Sequence, residues 1–574
     1  MSGQGDDDLR HAITCFDRGD LETAERGCRA VLAAASDCAD AHVLLGRILQ
    51  ARGDLEEANA AYRAAAIADR TCVDAWRRWA GLLHAHGHSK EAAMCLREAL
   101  TYVPAAFALH GDLGLILLES ENAGEAAVHL ENAVALVPSS ISALGNLGLA
   151  YKAQGRIEDA IACYRQALVL APDKAELHNN LGDALKTRDM DAAIASFRTA
   201  LELRPDYPEA LDNIGVAYVL QDKLDDALEK FDLAQREHPA FHRAIAHKTT
   251  TLFLLGRLPE AWRLHRRRFE LSGVKVPPHG RFPLPVWDDE PLAGKSLLVW
   301  TEQGLGDEIL QAGMFSELQA LVSRLTVECT PRALTLFQRS FPSIEFIPRL
   351  KPSRISEAKV DADYQAAAGD LGAVLRKDFN AFPRHRGYLK VAQPRMEALR
   401  QKYRQDGKKL VVGISWASYN ADLGKEKTLS LLDFAPILRQ RDVEFVNLQY
   451  RSPRDELASI QRDLNVKITT DDDIDFLGDL DDIAAQIAAM DLVISVSNTV
   501  VHLAGALNVP VWNIVPAYNA TGMWHWFHNL EHSPWYPSMK IYRRKQRDVG
   551  PLIARIAEDL RDFAEGAERT MEFH

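Results

Sequence analysis

The sequence predicts an α-helical solenoid followed by two doubly wound α/β lobes, within a chain of 574 residues. Two observations favour this fold class. Alanines and prolines recur with a fixed period through the first half of the chain, whereas apolar runs of strand length alternate with helical stretches through the second half. A chain of this length exceeds what one hydrophobic core can serve, so several domains are expected.

The first half repeats every 34 residues. The period is marked by recurring alanines, which are Ala58, Ala92, Ala126 and Ala160 and then, after a one-residue deletion, Ala193, Ala227 and Ala261. Small residues such as Gly148 and Ala160 are expected where the two helices of a unit approach closely. This is the tetratricopeptide signature. It predicts about eight helix pairs over residues 5–270, which bury their apolar faces against each other.

One polar position recurs on the first helix of successive units, two residues before a glycine. Asn146, Asn180 and Asn213 occupy it, and Asp112 holds the equivalent place one unit earlier. An amide side chain both donates and accepts, so such a row suits the backbone of an extended peptide. The row resembles the asparagine ladder of tetratricopeptide protein O-glycosyltransferases. The alternative is that asparagine is simply tolerated in the repeat.

A change of composition ends the repeats near residue 271. The stretch that follows contains Pro277, Pro278, Pro283, Pro285 and Pro291. This density of proline excludes both helix and central strand. A linker that is ordered or semi-rigid is therefore predicted over residues 271–294.

The second half reads as alternating strands and helices, which predicts parallel, doubly wound sheets. A charged break near residues 393–409 separates an amino-terminal lobe, residues 295–395, from a carboxyl-terminal lobe, residues 408–545, and residues 546–574 are a final helix. Ligands are expected at the carboxyl ends of the strands. The predicted strands lie at residues 297–300, 325–329, 344–347, 410–416, 443–448, 492–496 and 511–515.

The segment GLGDEILQ follows the first predicted strand. Gly304 and Gly306 permit a tight turn with close backbone approach, and Asp307 comes at the carboxyl end of the strand. A carboxylate there can act as a general base on an acceptor hydroxyl. The alternative is that Asp307 caps the helix that follows.

Two further strand ends carry polar candidates. The strand that ends at Trp416 is followed by a loop with Lys425 and Lys427, and such cations suit a diphosphate or phosphodiester. The alternative is a solvated surface loop. Gln449 follows the next strand, where an amide can orient a sugar or a base.

The most specific segment, SVSNTVVHLAGAL, joins a strand to a helix. Free N–H groups at a helix start bind anions, and the small residues Ser497, Asn498 and Thr499 allow a phosphate to approach. His502 lies one helical turn further and points back toward the same place. The alternative for His502 is a packing role.

Taken together, GLGD, SVSNTVVHLAGAL and the tryptophan-rich segment GMWHWFHNLEHSPWYPSMKIYRR resemble the heptosyltransferase-like glycosyltransferases of the two-lobed GT-B fold. The match covers roughly residues 290–545. With its solenoid, the chain resembles bacterial tetratricopeptide glycosyltransferases, among them flagellin-modification enzymes. The resemblance implies metal-independent, inverting transfer from a nucleotide-activated sugar, without a cofactor, to Ser or Thr of a protein held by the repeats. Flagellin is the expected acceptor.

The resemblance also implies residue roles. Asp307 matches the proposed base and His502 matches a donor-phosphate contact, so both are assigned to catalysis. One departure concerns the donor: the family's Asp-Thr pair is Ser497-Asn498 here. Without that carboxylate, an acidic donor such as a CMP-activated nonulosonic acid would be repelled less. The residues expected at the donor are Gly304, Gly306, Trp416, Lys425, Lys427, Gln449, Ser497, Asn498, Thr499 and His502.

The composition weighs against a nucleic-acid-binding, secreted or membrane-spanning protein. The net charge of −13 gives no basic excess for binding nucleic acid. The acidic start MSGQGDDDLR lacks an apolar core, so no signal peptide is expected there, and no run of about 18 apolar residues predicts a membrane span. Cysteines without a C-x-x-C pair are typical of a reducing cytosol, so a cytoplasmic location is expected. The run Asp471-Asp472-Asp473 could hold a cation, but a solvated turn is favoured and no metal is expected.

Two alternative functions fit the same residues. One is a scaffold whose transferase-like half has lost activity, which the absence of aspartate at position 497 favours and the presence of GLGD and His502 opposes. The other is a transferase that acts on lipopolysaccharide or another glycan, with the solenoid serving localisation.

Overall fold

The computed structural model describes residues 3–270, 282–302, 304–349, 360–384, 387–404, 410–419, 424–450, 454–516, 523–544 and 548–571. The chain forms two compact units, Met1–Ala217 and Tyr218–His574. The first unit consists of repeat helices, whereas the second contains the last repeat helices and both sheets.

Helices of similar length follow one another through the repeats, and consecutive helices pack together. This confirms the predicted α-solenoid. The helices are α1 Gly3–Asp17, α2 Leu21–Ala34, α3 Ala39–Arg52, α4 Leu55–Ala68, α5 Val73–Ala85, α6 Ser89–Tyr102, α7 Phe107–Glu119, α8 Ala123–Leu136, α9 Ile141–Ala153, α10 Ile157–Leu170, α11 Ala175–Leu185, α12 Met190–Leu203, α13 Pro208–Leu220, α14 Leu224–Glu237, α15 His242–Leu254 and α16 Leu258–His265.

The periodic small residues are the points of closest approach between paired helices. A Cβ atom at Gly148 would lie 2.5 Å from the ring of Tyr164, and one at Gly46 would lie 2.6 Å from the ring of Tyr62. Ala160 is fully buried. Larger side chains at these positions would push the two helices of a unit apart, because the aromatic ring already fills the space.

The second unit continues with ten strands and eleven further helices among the described residues. The strands are β1 Ser296–Trp300, β2 Arg324–Cys329, β3 Glu345–Pro348, β4 Tyr364–Ala367, β5 Leu410–Ser415, β6 Val443–Asn447, β7 Ile468–Thr469, β8 Leu492–Val496, β9 Val511–Val515 and β10 Met539–Arg543. The helices are α17 Leu305–Ala312, α18 Phe315–Gln319, α19 Leu334–Ser340, α20 Leu371–Leu375, α21 Gln393–Tyr403, α22 Gly424–Lys427, α23 Ala435–Leu438, α24 Arg454–Leu464, α25 Leu480–Ala488, α26 Thr499–Ala506 and α27 Gly550–Met571.

Both sheets are parallel, as the sequence predicts. The first has the strand order β3-β2-β1-β4, and the second has the order β10-β9-β8-β5-β6-β7. The order reverses beside β1 in the first sheet and between β8 and β5 in the second. Connections leave in opposite directions at such points, so a crevice opens at the carboxyl ends of these strands.

Every predicted strand is present, and β4, β7 and β10 are additional. These three carry little apolar signal in the sequence. β7 has only two residues, and Lys540 of β10 pairs with Asp559 of α27 at 2.7 Å. In β4, the buried Gln365 uses its side chain to bind the backbone of Phe282 and Leu284. Tertiary partners therefore stabilise these strands more than their own composition does.

The two largest of the hydrophobic clusters among the described residues of the second unit lie on either side of its second sheet. One joins both sheets through α25 and α26, and it includes Val299 and Val327 of the first sheet and Val493 of the second. The other lies on the opposite face of the second sheet, where α27 contributes Ile553 and Ile556. This helix falls within the predicted carboxyl-terminal segment.

The last repeat belongs to the same compact unit as the sheets, although the repeat period assigns it to the solenoid. Phe253 of α15 stacks on Trp524 with ring centroids 4.2 Å apart. Trp262 of α16 donates its indole N–H to the backbone oxygen of Arg376 at 2.9 Å. A terminal repeat has no further repeat to cover one of its faces, and here the α/β region covers it.

Part of the predicted linker is ordered against the first sheet. Val286 forms a parallel bridge with Gln365 of β4, and the buried Trp287 donates its indole N–H to Glu290 O at 2.9 Å. Residues 271–281 of the predicted linker lie outside the described residues.

Candidate functional site

Two strand–turn–helix units meet at the carboxyl ends of β1 and β8. β1 leads through Gly304 into α17, and β8 leads through Asn498 into α26. The two helices pack together so closely that a Cβ atom at Gly306 would lie 3.0 Å from His502 Cδ2 and 3.2 Å from His502 Nε2. Glycine at position 306 therefore permits the approach that the sequence predicts for this turn.

A cavity of about 330 Å³ opens between these units. Its walls come from the turns after β1, β5, β6 and β8 and from residues 523–525. Eight of the residues predicted from the sequence take part. The described lining residues are Gly304, Leu305, Gly306, Asp307, Ser418, Tyr419, Lys427, Tyr450, Ser497, Asn498, Thr499, His502, Met523 and His525.

Asp307 is the acidic side chain among the described lining residues. It lies three residues beyond the N-cap, Gly304, and is therefore not itself the cap of α17. Burial raises the pKa of its carboxyl group to about 6, while a hydrogen bond with the backbone of Gly304 and the charge of Lys427 act in the opposite direction. The carboxylate is thus mostly ionised at pH 7 and still basic enough to accept a proton.

Lys427 supplies a cation to the same cavity. Thr428 joins the described residues on either side, because the threonine hydroxyl donates to Gly424 O at 2.7 Å and accepts from the Ser418 N–H at 3.0 Å. Burial lowers the pKa of the Lys427 ammonium, and Asp307 opposes this shift. The side chain of Lys425, the other predicted cation, lies outside the described residues.

Two buried histidines complete the wall. Nδ1 of His502 lies 3.0 Å from the hydroxyl of Tyr536, and burial lowers the pKa of His502 to about 3. Burial also lowers the pKa of His525 well below its ordinary value, and its Nε2 has no hydrogen-bond partner among the described residues. Both imidazoles are therefore neutral at physiological pH.

The turn after β8 uses its polar side chains mainly within the protein. Asn498 caps α26 by accepting from the Val500 N–H at 3.0 Å, and it donates to the Ser415 hydroxyl at 2.8 Å. Ser497 accepts the indole N–H of Trp526 at 2.8 Å. The start of α26 is thereby fixed against β5 and against the tryptophan-rich segment.

Two residues that the sequence predicts to contact the donor lie in the core and not on the cavity. Trp416 is buried and donates its indole N–H to Glu456 at 2.6 Å. Gln449 is buried with its amide oxygen accepting from the backbone of Trp416 and Ala417. Neither lines the cavity. The reason is the alternation of side chains at the end of β6, because Tyr450, one residue after Gln449, faces the cavity instead.

Sequence reasoning also missed several lining residues. Ser418, Tyr419 and Tyr450 follow β5 and β6, so the strand ends were identified but not the side chains that face the cavity. Met523 and His525 come from the tryptophan-rich segment, which no strand pattern connects to the site. In that segment Trp524, between them, packs on Phe253 instead.

The predicted asparagine row on the repeats is not uniform. Asn146 and Asn180 are half-buried on α9 and α11, but Asn213 is buried and donates to Asn179 at 2.9 Å. Asp112 forms an ion pair with Arg77 at 2.6 Å. Asn213 thus uses its amide nitrogen in a bond between neighbouring repeats, whereas Asn146 and Asn180 retain partly exposed amides, and the peptide-binding row stays a prediction.

The run Asp471-Asp472-Asp473 is not wholly a solvated turn. Asp471 is buried, and it pairs with Lys402 at 2.9 Å and accepts from the Tyr403 hydroxyl at 2.9 Å. Among the described residues, no group of three or more His, Cys, Asp or Glu side chains is arranged to hold a metal ion. No described helix is both long enough and apolar enough to cross a membrane.

Comparison with known proteins confirms the repeats. A profile described as tetratricopeptide repeat matches residues 9–71, 78–141 and 183–240, and one described as TPR repeat matches residues 149–187. Protein FlbA of Caulobacter vibrioides is 33% identical over 333 residues, which are 55% of this chain and 54% of FlbA. The chain thus spans about half the length of this relative.

Solved structures are also similar to part of the chain. YrrB, described as a TPR protein with an unusual peptide-binding site, has a TM-score of 0.30 and 21% identity over 32% of this chain and 95% of its own. A tetratricopeptide repeat protein of Parabacteroides merdae has a TM-score of 0.34 and 17% identity over 41% and 94%. MamA of Desulfovibrio magneticus has a TM-score of 0.28 and 24% identity over 29% and 96%.

Proposed function

We propose that this chain is a GT-B glycosyltransferase that moves a sugar from a nucleotide-activated donor to Ser or Thr of a protein recruited by its repeats. The observation that carries the proposal is the meeting of Asp307, Lys427 and the start of α26 on one cavity at the carboxyl ends of parallel strands. A base, a cation and a helix amino terminus are the groups that such a transfer requires.

The chemistry assigns a separate task to each group. The acceptor hydroxyl oxygen attacks the anomeric carbon of the sugar while its proton passes to the Asp307 carboxylate. The bond from the anomeric carbon to the phosphate oxygen breaks, and the nucleotide leaves with that electron pair. Lys427 and the positive end of the α26 dipole stabilise the negative charge of the leaving group. One displacement of this kind inverts the anomeric centre.

The donor is proposed to be acidic. Asp307 is the acidic side chain among the described lining residues, and position 497 carries a serine that is engaged by Trp526. A CMP-activated nonulosonic acid brings its own carboxylate, which this wall would repel less than a wall with a second acid. The choice of flagellin as acceptor rests on the resemblance to flagellin-modification enzymes.

The proposal is tested by intact mass of flagellin co-expressed with this chain and with a sugar-nucleotide pathway. We expect discrete added sugar masses with the wild-type chain and none with Asp307→Asn. Unmodified flagellin together with modified host glycan would favour a glycan acceptor. Unmodified flagellin and no binding of CMP-, UDP- or GDP-sugars by calorimetry would favour a scaffold and overturn the enzyme.

A further inference from the structure

The two helices whose first turns line the cavity both end beside one short segment, Gly387–Leu389. Helix α17 follows β1 of the first sheet, and α26 follows β8 of the second sheet. The segment lies in the chain between β4, the last strand of the first sheet in chain order, and β5, which begins the second sheet. It therefore lies where the backbone passes from one lobe to the other.

The first contact of this segment is with the end of α17. The last turn of an α-helix leaves carbonyl groups without partners inside the helix. Gly313 follows α17 and donates its N–H to Leu310 O at 3.2 Å, so Ile309 O remains for another donor. The hydroxyl of Tyr388 donates to Ile309 O at 2.6 Å. A Cβ atom at Gly313 would lie 2.9 Å from the Tyr388 ring, so glycine there leaves room for the ring.

The second contact is with the end of α26. Residues after this helix donate to three of its last four carbonyl groups. The fourth, Ala506 O, accepts the N–H of Tyr388 at 2.8 Å and the N–H of Leu389 at 3.1 Å. Gly387 has a φ of +84°, and a Cβ atom there would lie 2.9 Å from Ala506 O. A larger residue at position 387 would therefore be strained and would press on the end of α26.

We propose that Tyr388 is a positioning residue that sets the spacing between Asp307 and the start of α26. Its hydroxyl group binds the end of α17 and its backbone N–H binds the end of α26, so one residue holds both helices at the ends remote from the cavity. Asp307 and Ile309 belong to the same helix of eight residues, so a shift of the helix end also moves the carboxyl group. The role in transfer rests on the proposed function, whereas the connection between the two helices does not.

The connection is tested by hydrogen–deuterium exchange of the full chain, measured by mass spectrometry. Tyr388→Phe removes only the hydroxyl group. The amides of α17 should therefore exchange about tenfold faster, while the amides at positions 388 and 389 stay protected. Gly387→Ala should have the complementary effect, because the added Cβ atom displaces the backbone from Ala506 O. In that variant the amides at positions 388 and 389 should lose their protection.

Tyr403→Phe is the matched control. It makes the same chemical change in α21, where the Tyr403 hydroxyl donates to Asp471 at 2.9 Å and accepts from Gln486 at 3.0 Å. None of these three residues lines the cavity. Unchanged exchange of α17 in Tyr388→Phe would overturn the proposal. Equally faster exchange throughout both sheets would also overturn it, since that result would show a general loss of stability.

The effect on the reaction is measured with flagellin as acceptor and CMP-N-acetylneuraminate as donor. Tyr388→Phe should lower kcat about tenfold and change the KM for the donor less than about twofold, because α26 keeps its backbone contacts while the carboxyl group of Asp307 shifts. Tyr403→Phe should leave both constants unchanged. A kcat equal to that of the wild-type chain in Tyr388→Phe would overturn the positioning role. If the wild-type chain transfers no sugar, the proposed function fails, and the exchange experiment still decides whether Tyr388 connects the two helices.

Discussion

The Gly304–Asp307 turn and the Ser497–His502 turn both follow a buried parallel strand and both begin a short helix, yet they use their polar side chains differently. The first turn is capped by a glycine and leaves Asp307 in the cavity. The second turn commits Asn498 to capping and Ser497 to Trp526. The same local architecture thus serves two purposes. The Gly304–Asp307 turn is the reactive wall of the cavity, and the Ser497–His502 turn is its positioning wall.

This difference has a physical basis. A carboxylate that lines a cavity can have its pKa raised by burial, which suits a base. Side chains that cap a helix and accept an indole N–H lower the freedom of the turn and hold the helix start in place. Gly306 and His502 lie close together and join the two walls. A substitution in either turn is therefore expected to shift residues of the other.

The largest expected effect is the loss of sugar transfer when the reactive wall is changed at Asp307. Asp307→Asn should lower the rate of sugar transfer by about 10²–10⁴-fold, because the general base is lost. In the wild-type chain the rate should fall about tenfold per pH unit below the Asp307 pKa of about 6. A rate measured from pH 5 to pH 8 that is independent of pH would remove Asp307 from the chemistry.

The buried histidines should make the second unit sensitive to acid. His502 stays neutral in the folded protein down to a pKa of about 3, whereas the unfolded chain binds a proton below the ordinary value of 6.5. The free energy of unfolding should therefore fall as the pH drops below 6.5, by up to about 1.4 kcal/mol per pH unit for each such histidine.

This acid sensitivity is measured by urea unfolding at pH 7.5, 6 and 5. Tryptophan fluorescence reports mainly on the second unit, which holds eight of the ten tryptophans. His525→Gln should flatten the pH dependence, since it removes one buried imidazole. An unchanged slope in that variant would show that His525 takes up its proton equally in the folded and unfolded chain.

The contact between the two walls is tested by a matched pair of glycine variants. Gly306→Ala would place a Cβ atom 3.0 Å from His502 Cδ2, so we expect a loss of about 1–3 kcal/mol in stability and slower transfer. Gly304→Ala is the control, because its nearest neighbour would be Asp307 Oδ2 at 3.7 Å and its φ is −75°. Equal losses in both variants would show that the turn itself, and not the contact with His502, is sensitive.

The last expected effect is on stability alone and concerns only the Ser497–His502 turn. Ser497→Ala removes the acceptor of the buried Trp526 indole N–H and should cost about 1–3 kcal/mol. Thr499→Ala, two residues away on the same wall, should change the stability by less than about 0.5 kcal/mol. The urea unfolding midpoints of both variants measure this difference in stability. A neutral Ser497→Ala would mean that the indole finds another acceptor.

Periodic patterns in the sequence determined the large features of this protein. The 34-residue period fixed the helix pairs, because close packing at positions such as Gly148 and Ala160 tolerates only small side chains. Continuous apolar runs identified the central strands, since these are buried on both faces. Local turn chemistry likewise pointed to Gly304, Asp307 and the start of α26.

Tertiary structure alone decided which side chains reach the cavity and what state they are in. Gln449 and Tyr450 are neighbours in sequence, but one binds backbone in the core and the other faces the cavity. His525 reaches the site from a segment with no strand pattern, and the neutral state of His502 follows from burial. These properties depend on contacts between residues distant in the chain, which no local pattern encodes.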